Sequence, residues 1–282
     1  MFENRICLVS LVSVLLLLLM GAGSLTAQDD PPLGWTDVAE LTLVLTSGNA
    51  TASTLGLKNT AERRWDNGLL LLAAGAVRAE SGVTVRTATG TPDDFIVTRS
   101  TPTEKTAENY FLRARYDREV TESNYLFAGA GWDRNTFAGI QNRYATVAGA
   151  GRAWVDTEAR HFKTDVGLTY TVQEDVIENP AGEDSFGGLR ATIDLLHTLT
   201  STTEFTSLLV MDESLTETDD IRADWTNAIA VAISDNLALK ASLQILYDRV
   251  PALVRVPLGS GSVLVPLQKS DRALTVALVI DF

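Results

Sequence analysis

Val38-Ala-Glu-Leu-Thr-Leu-Val-Leu-Thr46, the turn Ser47-Gly48-Asn49, then Thr51-Ala-Ser-Thr-Leu-Gly-Leu-Lys58-Asn-Thr-Ala-Glu-Arg-Arg-Trp65 and Asp66-Asn67-Gly68 decide the fold. In the first run Ala39, Leu41, Leu43 and Leu45 share one side, and Val38, Glu40, Thr42 and Thr46 share the other. In the second, Lys58, Thr60, Glu62 and Arg64 oppose Leu55, Leu57, Ala61 and Trp65. A period of two is the signature of a strand with one polar and one apolar face. Asp66-Asn67-Gly68 reads as a hairpin turn, because its last residues tolerate positive φ.

Outward from this hairpin the same period recurs near 69–80, 107–118, 124–135, 142–155, 161–173, 186–199, 203–213, 221–233, 236–248 and 271–282, making about twelve strands. Tight turns fall at Asp66–Gly68, Val120–Ser123, Asp156–Arg160, Thr200–Thr203 and Ser234–Asn236. Generally longer connections fall between them: 81–106, 136–141, 174–185, 214–220 and 249–270. That alternation puts these tight turns at one end, with Ser47-Gly48-Asn49 an unusually short connection at the other. The expected fold is therefore all-β, a transmembrane up-and-down antiparallel β-barrel of about 12 strands, with both termini on the turn side.

The apolar face is expected to hold Leu41, Leu43, Leu69, Leu71, Leu112, Leu126, Val147, Val166, Leu168, Ile193, Leu195, Leu209, Ile229, Val231, Leu239, Leu243, Val276, Leu278 and Ile280. Near strand ends it carries Trp65, Tyr110, Tyr116, Trp132, Tyr170, Trp225, Tyr247 and Phe282, an arrangement that suits the two interfaces of a bilayer. A soluble sandwich or lipocalin-like barrel would show the same period with its apolar side inward. Twelve strands, however, enclose more space than side chains fill, and the polar face is charged at strand centres.

Before the barrel, a short segment with Arg5 leads into the apolar run Ile6–Met20 and the small residues Gly21–Ala27. This reads as a secretory signal peptide over 1–27, its apolar run too short to span a bilayer as a helix. A short periplasmic segment over 28–33 and the barrel over 34–282 would follow. The expected address is the outer membrane of a Gram-negative bacterium, with lipid and lipopolysaccharide as surroundings. The last strand, ending at Phe282, is expected to be what the barrel-assembly machinery reads.

Composition narrows the function. There are 23 Lys and Arg against 36 Asp and Glu, a formal charge of −13, which repels phosphate backbones and argues against a nucleic-acid partner. The only histidines are His161 and His197 and the only cysteine is Cys7, which lies in the leader, so zinc and thiol chemistry are not expected. No cofactor is expected. His197 and Ser207 fall on the lipid side with no acidic orienter, and His161 sits at a turn, so no catalytic residue is assigned. Gly129/Gly131 and Gly149/Gly151 lie inside strands, where they permit curvature or leave room for a bulky neighbour rather than cradle a dinucleotide.

If the apolar face meets lipid, the lumen receives Glu40, Lys58, Glu62, Arg64, Arg78, Glu80, Arg113, Arg115, Asp117, Arg152, Asp165, Arg190, Asp194, Arg222, Asp224 and Lys240. Lys163, Glu204, Asp212 and Asp248 join them. Two outcomes are open: opposite charges pair into a wet plug, or segregated rows line a pore. The loop 249–270 reads as a Pro-interrupted apolar hairpin around Gly259-Ser-Gly261, either projecting or folded inward. Glu174, Asp175, Glu178, Glu183 and Asp184, and Glu213, Glu217, Asp219 and Asp220, form acidic loop clusters. Carboxylates there suit Ca²⁺ or Mg²⁺, but without EF-hand spacing solvated loop charge is the simpler account.

Gly34-Trp35 through Ser47-Gly48-Asn49, Tyr125–Gly139, Arg143 through Gly149-Ala-Gly151, and Gly167-Leu-Thr-Tyr170 resemble an outer-membrane family of unknown function whose members are described as salt-induced outer membrane proteins. The resemblance implies a barrel and its location and carries over no activity or ligand residues. The function expected is a narrow passive pore for small solutes or ions. Its alternative is a non-conducting structural or envelope-stress barrel that contacts lipopolysaccharide through its outer loops.

Overall fold

The computed structural model describes residues 33–46, 50–91, 94–179, 184–216, 219–259 and 261–281. Its strands are β1 (Gly34–Thr46), β2 (Ala50–Trp65), β3 (Gly68–Val83), β4 (Val85–Thr91), β5 (Asp94–Ser100), β6 (Thr103–Glu119), β7 (Asn124–Asn135) and β8 (Ile140–Thr157). After these come β9 (Arg160–Asp175), β10 (Ser185–Thr200), β11 (Thr203–Ser214), β12 (Ile221–Ser234), β13 (Leu237–Asp248), β14 (Leu253–Leu258), β15 (Gly261–Pro266) and β16 (Ser270–Asp281). Twelve of them close a barrel in the order β1-β16-β13-β12-β11-β10-β9-β8-β7-β6-β3-β2, each antiparallel to its neighbours. The other four form two separate hairpins, β4–β5 between β3 and β6, and β14–β15 between β13 and β16. The expected leader over 1–27, the turn 47–49 and Phe282 lie outside the described residues.

The barrel is apolar outside. Leu274 is 79% exposed, Leu168 65%, Val166 64% and Leu43 60%, whereas no large side chain is fully buried among the described residues. A soluble barrel buries such side chains to gain the hydrophobic stabilisation that holds it together. Here that gain requires an apolar surrounding, as in a bilayer. Exposed aromatics ring both ends of the band. Trp35, Trp65, Tyr116 and Trp154 lie toward the tight turns, and Tyr144, Tyr170 and Tyr247 toward the long connections. On β6 the outer Tyr110 and Tyr116 stand six residues apart, about 20 Å along the strand, close to the height of a membrane band.

Three expectations are corrected. The connection 81–106 is not a loop: β3 runs on to Val83, β6 begins at Thr103, and β4 pairs with β5 between them. The Asp66-Asn67 turn forms without any left-handed residue, since Gly68 is not among the glycines with positive φ. Two strands also present the opposite face. Leu69 and Leu71 pair with Asp117 and Arg115, and Val147 pairs with Gly129 and Thr169, so all three face inward.

Candidate functional site

The inner face identifies itself by reach. Arg115 on β6 donates to Asp165 on β9 at 2.7 Å, across β7 and β8, and Lys240 on β13 reaches Glu40 on β1 at 3.0 Å, across β16. Only the concave side allows such spans. Following the register from these residues puts Glu40, Lys58, Glu62, Arg64, Arg113, Arg115, Asp117, Asp165, Arg190, Asp194, Arg222, Asp224 and Lys240 on the inner face. Lys163, Glu204, Asp212 and Asp248 share it.

Arg78, Glu80 and Arg152 do not. Arg78 pairs with Leu55 and Glu108 on the outer face, where it donates to Glu80. Arg152 pairs with Asn124 and Thr164 and lies over the outward Trp154 ring at 4.8 Å. The cause is local. β3 holds Leu69-Leu-Leu-Leu72 and β8 holds Ala148-Gly-Ala-Gly151, so neither strand marks its own phase, and the neighbouring ladders set it.

Three groups of side chains shape the interior. The first covers the wall β6–β9. Tyr125 and Phe127, both nearly buried, face inward with ring centres 6.4 Å apart. Glycines lie beneath them: a Cβ at Gly151 would collide with the Tyr125 ring, and one at Gly149 with the Val166 carbonyl and the Phe127 ring. Arg115 sits 4.1 Å from the Phe127 ring centre and holds Asp117 at 2.6 Å and Asp165 at 2.7 Å. The Tyr125 hydroxyl also donates to Asp165, whose other carboxylate oxygen is buried with no partner among the described residues. The glycines thus leave room for bulky neighbours.

The second group is the triad in which Lys58 and Lys240 each reach the same oxygen of Glu40 at 3.0 Å. The third lies toward the long connections. Arg190 grips Asp212 with two hydrogen bonds of 2.8 and 3.0 Å. Arg222 pairs with Asp220 and lies over the Phe186 ring, while Gln244 donates to Asp224. A cavity of about 400 Å³ opens here, lined by Glu178, Asp184, Asp220, Asp248, Arg222 and Phe186 among others. Glu183 and Glu217 of the acidic clusters lie outside the described residues. Asp219 pairs with Arg249 at 3.1 Å, and no group of three or more His, Cys, Asp or Glu among the described residues is placed to hold a metal.

The mouth above this cavity is crossed. Asn135 Oδ1 accepts from the Ala138 backbone N–H to close a short 3₁₀ turn, Thr136–Ala138, that ends at left-handed Gly139 between β7 and β8. Ala252 and Leu267, which flank β14–β15, lie against Gly139. In strand order the β13/β16 boundary is diametrically opposite the β7/β8 boundary. The connection 249–270 is therefore a strap over the opening. From it β14–β15 extends as an exposed apolar hairpin, with Leu258 65% exposed.

Sequence reasoning missed Arg143 and Asp133, which pair across β7 and β8 on the inner face, and placed no inner role on Tyr125 or Phe127. Gly149, Gly151 and Gly167 were the available signal. On the outer face, Ser207 accepts from the Trp225 indole at 3.1 Å, and His197 contacts the Ala159 carbonyl, so the two are not joined.

Among solved structures, the chain is similar in fold to the NanC porin, with TM-score 0.46 and 9% identity over 87% of this chain and 98% of that one. It is also similar to an outer membrane channel from Pseudomonas putida F1, with TM-score 0.45 and 11% identity over 93% and 100%. The translocator domain of the autotransporter NalP from Neisseria meningitidis gives TM-score 0.43 and 12% identity over 98% and 94%. These likenesses are distant, and no residue role is taken from them. No curated protein matches the sequence. The model of the family described as protein of unknown function, DUF481, matches residues 39–282, and the chain belongs to that family.

Proposed function

We propose that this barrel spans the outer membrane and gives small hydrophilic solutes or ions a narrow passive route, with cations favoured at the strapped mouth. The observation that carries the reading is that Glu62, Arg64 and Glu204 face the interior and enter no ion pair among the described residues, and that Lys163 and Asp194, opposed across β9 and β10, make no direct ion pair either. A charge held in a dry cavity without a partner costs several kcal/mol. The interior therefore holds water, and a wet column across a bilayer conducts unless something interrupts it. The Arg115–Tyr125–Phe127 layer and the strap narrow that column. Glu178, Asp184 and Asp248 at the cavity give its entrance a negative potential.

The test is single-channel recording of the full chain, exported and purified from the outer membrane of a Gram-negative host, with folding checked by heat-modifiable gel mobility. Small discrete steps and a reversal potential on the cation side are expected. A folded barrel that stays silent overturns the reading. Its place is then taken by a non-conducting structural or envelope-stress barrel that contacts lipopolysaccharide through its outer loops.

A further inference from the structure

The weakest closure of the barrel lies between β1 and β16. Among the described residues only Val38–Leu41 pair with Asp281–Leu278, four residue pairs, whereas β1 pairs with β2 through thirteen. Above Leu41 and Leu278, no pairing joins Thr42–Thr46 to Ala273–Ala277 among the described residues, although each segment remains a strand through its other neighbour. This stretch lies within the apolar band: Leu43, Leu274 and Val276 are 60%, 79% and 56% exposed beside it. Backbone N–H and C=O groups left open toward hydrocarbon find no water there, so such an edge persists only where polar groups reach it from another side.

The lumen side supplies them. At the level where pairing stops, Lys58 and Lys240 converge on Glu40, giving two cations to one carboxylate and a net charge of +1. The Lys240 amine arrives from β13 across β16, so the triad straddles the seam from within. Above it the strap at Gly139 crosses the axial entrance. Apolar flanks outside, open backbone groups between and surplus positive charge inside match one class of molecule: a single acyl chain ending in an anion.

We propose that the unpaired half of the β1–β16 seam is a lateral portal through which an anionic single-chain amphiphile moves between the outer leaflet and the lumen, its head group received by Lys58 and Lys240. This rests on the barrel spanning a membrane, as proposed above, and not on its conducting ions. A carboxylate and a phosphate would be held alike, by charge-assisted hydrogen bonds to the two amines.

Binding of laurate, dodecyl phosphate and dodecyltrimethylammonium to the full chain in nanodiscs tests the proposal. At least one of the two anions should bind, the tighter one identifying the head group, and the cation should not. Lys58→Gln with Lys240→Gln should weaken binding about tenfold or more, the loss expected for two charged hydrogen bonds. Thr42→Cys with Ala277→Cys, which would face each other if the ladder continued, should abolish binding when oxidised and restore it when reduced. Lys58→Gln alone gives an intermediate loss and serves if the double variant fails to fold. Equal binding of anions and cation, no binding at all, or binding that survives the oxidised cross-link overturns the portal. Conductance recorded on the same preparation separates the two readings. Steps without amphiphile binding sink the portal alone, and binding without steps sinks the passive route alone. A chain that remains soluble without detergent sinks both.

Discussion

The wall β6–β9 and the seam β1–β16 solve the same problem, closing a sheet on itself, by different physics. In the wall the ladders are long, with eleven residue pairs joining β6 to β7, and the inner face is packed by Tyr125 and Phe127 against glycines. Its ion pair is nearly dry on one side, the Asp165 side chain being 4% exposed. At the seam four pairs are present among the described residues, and the lysines that grip Glu40 are 42% and 22% exposed. Packing and a buried pair make a region that resists opening. A hydrated ionic clasp makes one that opens cheaply. One barrel therefore carries a fixed side and a yielding side.

Arg115→Ala probes the fixed side hardest. It leaves Asp165 buried without its cation, and loss of one partner of a buried pair costs about 3 kcal/mol or more. We expect a lowered urea midpoint for unfolding from lipid vesicles. Arg115→Leu combined with Asp165→Leu should recover much of the loss, because the buried carboxylate is then gone and Asp117, the other partner of Arg115, is 21% exposed and keeps its hydration. Glu40→Gln should cost less than about 1 kcal/mol, as expected for a solvent-screened clasp. If Glu40→Gln proved the more damaging, the contrast between wall and seam would be wrong.

The glycine floor divides the wall further. A methyl at Gly149 meets backbone first, the Val166 carbonyl and Gly167, and then the Phe127 ring, whereas the nearest atoms to one at Gly151 belong to the Tyr125 ring, which can swing toward the lumen. Gly149→Ala should lose about 1–3 kcal/mol, the range for overpacking against atoms that cannot move aside. Gly151→Ala should lose clearly less in the same unfolding assay. Equal losses would mean that the ring is as immobile as the backbone.

Strand number and connectivity are legible in the sequence because most barrel strands alternate over part of their length and each tight turn interrupts the pattern. The phase of a strand is legible only where its two faces differ. In β2, Lys58, Glu62 and Arg64 against Leu55, Leu57 and Trp65 leave one answer. In β3 four consecutive leucines fit either face, so Arg78 and Glu80 were expected in the lumen and stand outside it. Arg152 follows Gly151 in a stretch of alanine and glycine that offers no preference, and hydrogen bonding to β7 and β9 decides. The hairpin within 249–270 is legible from its Pro and Gly residues, but its place across the mouth and the short seam are not, since both depend on residues far apart in the chain that closure brings together.

The strap separates the mouth from the seam. Replacing 251–268 by a short Gly-Ser linker removes Ala252 and Leu267 from Gly139 and should raise single-channel conductance about twofold, as widening a constriction does. Laurate binding at the seam should stay unchanged. An effect on both would mean that the mouth and the portal are one route.

The smallest effect concerns charge at the entrance. Arg222 is committed to Asp220, and Asp248, its cross-strand neighbour, accepts only from the Val250 backbone N–H among the described residues. Asp248 therefore adds negative charge to the cavity, offset in part by Arg222 opposite it. Asp248→Asn should reduce cation preference by less than about twofold in 0.1 M salt, where the screening length is about 10 Å. In 1 M salt, where it is about 3 Å, the difference should vanish. Lys240→Gln, measured the same way, removes a positive charge and should shift the reversal potential in the opposite direction. If both substitutions moved it the same way, ion preference would arise from the shape of the route, and the charge lining would be serving the barrel's closure instead.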